Sequence, residues 1–63
     1  MTGPQLRTQR LLAAVKASDL AARMGLGRTR IPQIEAQANV SEAIVERYLA
    51  ALIALAAEQK APA

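Results

Sequence analysis

The sequence predicts an all-α fold, a small domain of four to five helices whose last helix is long. Three observations predict it. Apolar residues recur three and four apart. Helix-starting residues (Thr2, Ser41) stand just ahead of the periodic stretches. No alternating or β-branched run offers a strand. At 63 residues the chain makes one domain, expected over residues 1–60, with 61–63 as a loose tail.

The elements follow in order. Thr2 and Gln5 have the spacing of a capping box, and Pro4 in the first turn has no helical N–H to lose. The first helix is expected over residues 4–15, with Leu6, Leu11 and Ala14 facing inward. A second helix begins at Ala17 or Ser18 and stops at Gly25, a good left-handed terminator. Leu20, Ala21 and Met24 share one of its faces. Leu26 and Gly27 form a very short turn into a third helix, expected around residues 28–37 and anchored by Ile31 and Ile34. Ser41 then caps a final helix with Glu42 in the favourable first turn, and Val40 and Val45 are placed to staple across that cap. Nothing breaks this helix before Gln59.

Composition narrows the function. The chain has neither Cys nor His, which removes disulfides, the common zinc sites and most acid/base or nucleophilic constellations. No enzyme, cofactor or metal is expected. The longest apolar run, Tyr48–Ala57, is about half of the roughly 20 residues a membrane span requires. No signal-peptide core is visible, so a cytoplasmic protein is expected. A domain this small buries little surface, and with no disulfide or metal, self-association is the natural support.

Charge is unevenly placed. Up to Gln37, Arg7, Arg10, Lys16, Arg23, Arg28 and Arg30 face only Asp19 and Glu35. Beyond it, Arg47 and Lys60 face Glu42, Glu46 and Glu58. A basic half beside a near-neutral half suggests that one half meets a polyanion. The plain alternative is ordinary surface solubility.

The string Leu20-Ala21-x-x-Met24-Gly25-Leu26, followed by Ile31-x-x-Ile34-Glu35, meets the demands of a helix-turn-helix. Ala21 is small where two helices cross, Gly25 lets the chain reverse, and the two isoleucines hold the third helix against the second. This segment resembles the Xre/Cro/cI family of phage-type repressors, over roughly residues 5–45. The resemblance implies a lambda-repressor-like fold and a double-stranded DNA partner. It implies base contacts from Arg28, Thr29, Arg30 and Gln33. The chemistry agrees, since Arg can grip guanine, Gln can grip adenine, and Thr can touch a thymine methyl. Phosphate contacts fall to Arg7, Lys16, Ser18 and Gln37. Lys16 stands in for a Gln that the family usually has at the start of the second helix. Arg10 and Glu35 look like the family's internal ion pair. Pro32 departs from the pattern, and its cost falls if Thr29 caps the helix and the ring lies in the first turn.

On the last helix, Val45, Tyr48, Leu52 and Leu55 form one apolar stripe, and Ile44, Leu49, Ile53, Ala56 and Ala57 form a second. The first is expected to close the core. The second, through Leu49, Ile53 and Ala56, is expected to build a homodimer. A helix buried all round in its own domain is the alternative. A dimeric repressor reading a palindromic operator is therefore expected; the competing function is a helical interaction module such as an antitoxin or adaptor.

Overall fold

The computed structural model describes residues 1–60, and within them the chain forms four helices and no strand. These are α1 (Gly3–Leu12), α2 (Ala17–Met24), α3 (Arg30–Glu35) and α4 (Glu42–Lys60). The tail expected at 61–63 lies outside the described residues. No helix is long and apolar enough to cross a membrane, and no cluster of acidic residues could hold a metal ion, among those residues.

The capping box at α1 forms in both directions. The Gln5 N–H donates to Thr2 Oγ1 at 3.2 Å, and the Thr2 N–H donates to Gln5 Oε1 at 2.9 Å. The far end of α1 corrects the sequence expectation, for the helix stops at Leu12 and not at Val15. Ala14 turns left-handed at φ 57°; the Val15 N–H then reaches the Arg10 carbonyl at 3.2 Å and the Ala14 N–H the Leu11 carbonyl at 3.1 Å. This is a Schellman closure built on alanine where glycine is usual. It swings Val15 into the core at 3% exposure and leaves Ala14 and Leu11 outside, Leu11 at 56%. Neither of those two packs inward as expected.

Gly25 ends α2 at φ 72°, with open space around it, so glycine is needed there for conformation alone. The third helix is shorter than expected. It occupies Arg30–Glu35, with Arg28 and Thr29 in the preceding turn and Gln37 beyond its end. Thr29 occupies the N-cap without a side-chain bond. The late start puts Pro32 in the first turn, where its missing N–H has no intrahelical partner to lose.

The Ser41 hydroxyl accepts from the Ile44 N–H at 3.4 Å to start α4. That helix packs along α2 and touches α1, while α3 packs against α1 and α2. Leu6, Val15, Leu20, Ala21, Met24, Ile31, Ile34, Val40, Tyr48 and Leu52 form the shared core. The two ends of the first three helices are stitched by backbone bonds. The Gly3 N–H donates to the Gln37 carbonyl at 2.8 Å and the Val40 N–H to the Met1 carbonyl at 3.0 Å. Gly3 is buried here because α1 begins directly on the end of α3. A Cβ at this position would lie 2.6 Å from the Ile34 carbonyl oxygen and closer still to that of Glu35.

Candidate nucleic-acid interface

The inward side of α3 is fixed first, and it determines what the outward side presents. Ile31 and Ile34 are fully buried and Glu35 is 9% exposed, so three of the six residues of α3 point into the domain. Arg28, Thr29, Arg30, Pro32 and Gln33 are all exposed on the turn and the opposite face. Arg30 and Gln33 are one turn apart, and an Arg30 Nη1 donates to Gln33 Oε1 at 3.4 Å. The surface therefore offers two guanidinium groups, a carboxamide and a hydroxyl side by side, flanked by the proline ring.

The other expected anion contacts are spread over neighbouring elements. Arg7 is exposed on α1, close enough to help hold the Glu35 carboxylate ionised. Lys16 and Ser18 are exposed at the start of α2, one helix away from the Arg28 group. The Gln37 side chain is exposed, while its carbonyl is taken by Gly3.

Beneath this surface lies a polar core that fastens three helices. Arg10 Nε donates to Glu35 Oε2 at 2.8 Å and Arg10 Nη2 to Glu35 Oε1 at 3.1 Å, a two-point contact between α1 and α3. Arg10 Nη1 also donates to the Val15 carbonyl at 3.1 Å, which ties down the turn after α1. From α4, the Tyr48 hydroxyl donates to Glu35 Oε2 at 2.6 Å, with the Leu6 carbonyl a second acceptor 3.2 Å away. Side-chain exposure is 12% for Arg10 and 7% for Glu35. Burial pushes the Glu35 carboxyl up, but hydrogen bonds from Arg10 and Tyr48 outweigh it and hold the group below the usual carboxylate range. The bond to Glu35 raises the Arg10 guanidinium. Burial, aided by the bond to Glu35, raises the Tyr48 phenol well above its ordinary value.

Sequence reasoning placed Tyr48 only in an apolar stripe and missed its hydroxyl contact. The available signal was chemical. Tyr48 is the sole aromatic residue, set on an otherwise aliphatic face, and a buried phenol needs a polar partner.

The second stripe of α4 is divided by the fold. Leu49 is half-buried against the core and Ala56 is half-buried, while Ile53 stands 69% exposed. Of that stripe Ile53 and Ala57 face outward, and Ile53 is the large side chain among them. Comparison of the chain with family models, curated proteins and solved structures finds no match.

Proposed function

We propose that this chain is a sequence-specific double-stranded DNA-binding regulator, a repressor that acts as a dimer and reads a palindromic operator through Arg28–Gln33. The observation that carries the reading is the division of α3. Its inward residues are committed to the core, and Arg30 and Gln33 on its outward face join Arg28 and Thr29 of the preceding turn in a set suited to base edges, close after the tight Gly25 turn. The lambda-repressor-like assignment belongs to the same proposal and rests on the Leu20–Leu26 and Ile31–Glu35 motifs. Because the turn precedes the helix, Arg28 and Thr29 reach the duplex from the turn, and Arg30 and Gln33 reach it from α3. Arg7, Lys16, Ser18 and Gln37 supply phosphate contacts, and the exposed Ile53 belongs to the dimer surface.

Binding to duplex DNA is expected to weaken steeply with salt, with a log–log slope of about −0.9 for each phosphate neutralised. A slope near zero, or no binding at low salt, removes the regulator reading. The second reading, a helical interaction module such as an antitoxin or adaptor, is favoured by the shortness of α3 at six residues. Under that reading the slope is flat.

The two kinds of contact separate by mutation. Arg28→Ala or Gln33→Ala is expected to cost on the order of 1–3 kcal/mol on the preferred site and to relax base choice there. Arg7→Ala is expected to weaken all sequences alike and to flatten the salt slope by about one contact. Selection from random duplexes measures both. An unchanged selected sequence after Arg28→Ala would place the reading surface elsewhere.

A further inference from the structure

An open groove of about 400 Å³ runs between the end of α2 and α4, lined by Arg23, Met24, Arg47, Ala50, Ala51 and Ala54. Its floor is alanine and its rim carries two arginines. Arg23 Nη1 is paired with Glu58 Oε2 at 2.6 Å, while Arg47 forms no ion pair among the described residues. Glu58 remains 54% exposed and its carboxylate has room for a second guanidinium.

Helical geometry decides what fits. Arg47 and Glu58 lie about three turns apart on one flank of α4, and Ile53 lies on the other flank. Between the flanks run Ala50 and Ala57, both exposed, and half-buried Ala54. Small side chains let two helix axes approach to about 8 Å. In an antiparallel pair related by a two-fold axis, residues on the same flank and equidistant from the axis meet. The midpoint of Arg47 and Glu58 falls between Leu52 and Ile53.

We propose that the occupant of this groove is α4 of a second copy, antiparallel, with Arg47 of each chain on Glu58 of the other. Each Glu58 then sits between its own Arg23 and Arg47 of the second copy, so the unpaired cation is answered without any new charge. The exposed Ile53 residues meet beside the axis on the opposite flank, and the alanines form the floor between them. The inference rests on the reading that copies pair through α4, and it adds the face, direction and register. It does not depend on DNA binding.

Sedimentation of Arg47→Glu, of Glu58→Arg and of their equimolar mixture tests it. Each variant alone sets like charges against each other at both ends of the interface and is expected to weaken self-association on the order of tenfold. Mixed, the two restore both pairs in a heterodimer, and association is expected to return near the wild-type level. A purely intramolecular role for Glu58 cannot produce that rescue. Both substitutions are at exposed positions, and an unchanged helical circular dichroism signal checks the fold. Independently, Ile53→Cys, in a chain with no other cysteine, is expected to yield a disulfide-linked dimer under mild oxidation. A dimeric wild type with no rescue on mixing, or with no Ile53→Cys cross-link, overturns the register but leaves α4 pairing. A wild type that sediments as a monomer at high micromolar concentration overturns both.

Discussion

Replacing Glu35 with alanine is expected to remove a large share of the protein's stability, about 3–5 kcal/mol. The substitution strands the charge of the Arg10 guanidinium, whose side chain is 12% exposed, and removes the nearer of the two acceptors of the Tyr48 hydroxyl. Breaking a buried pair from one side costs about 3–5 kcal/mol. A chain of this size has a total stability of about 3–9 kcal/mol. Tyr48→Phe removes only one donor while Arg10 stays paired, and is expected to cost about 1–2 kcal/mol. Urea unfolding followed by circular dichroism gives both values. A Glu35→Ala protein within about 1 kcal/mol of wild type would contradict a buried, satisfied network.

The same network sets a pH window with two opposite edges. The folded Glu35 pKa is depressed, so its contribution is present above the ordinary carboxylate value and is lost as pH falls through the folded value. The folded Tyr48 pKa is raised, so its contribution is present below about pH 10 and is lost as pH climbs from there towards the folded value. Tyr48→Phe is expected to abolish the alkaline decline and leave the acid one. Because Tyr48 is the only tyrosine, phenolate absorbance reports its ionisation directly and is expected to appear together with unfolding.

Gly3→Ala is the second large effect, and its sign runs against helix propensity. In an open helix, alanine in place of glycine gains up to about 1 kcal/mol. Here the added methyl meets the carbonyls of Ile34 and Glu35, backbone that cannot rotate aside. Helix α1 must lift from α3, stretching the Gly3–Gln37 bond of 2.8 Å and disturbing Arg10 against Glu35. Overpacking and the lost bond together are expected to cost about 2–4 kcal/mol. Gly27→Ala is the control, since nothing lies within 4 Å of its added methyl. It is expected to be neutral or slightly stabilising. A Gly3→Ala melting temperature equal to wild type would mean that the two helix ends do not abut.

What could be read from the residues is what local chemistry dictates. The Thr2–Gln5 box, the Gly25 terminator and the Ser41 start each satisfy backbone groups within a few positions, so a short window of sequence contains the whole cause. The end of α1 was not legible, because Ala14 adopts a conformation that its side chain disfavours, held there by Val15 burying itself and by Arg10 bonding the Val15 carbonyl. The start of α3 was ambiguous for a related reason. Ile31 and Ile34 face inward in either register, so the choice falls to Pro32, whose ring costs less in the first turn of the later start. The role of Tyr48 depends on a partner on a different helix, which no periodicity reveals. The two stripes of α4 overlap around the cylinder, so only packing could decide that Leu49 leans inward and Ile53 outward.

The fully buried pair Ile31 and Ile34, with the anchored Glu35, leaves the remaining side chains of the turn and α3 free of duties in holding the domain together. The consequence is evolutionary as much as structural. Arg28, Thr29, Arg30 and Gln33 can be exchanged for other polar residues at little thermodynamic cost, since surface substitutions of this kind stay within about 0.5 kcal/mol. A lineage built on this scaffold can retarget its outer face one residue at a time while every intermediate still folds. A saturation library of these four positions should be tolerant when scored for solubility and sharply selective when scored for a bound partner.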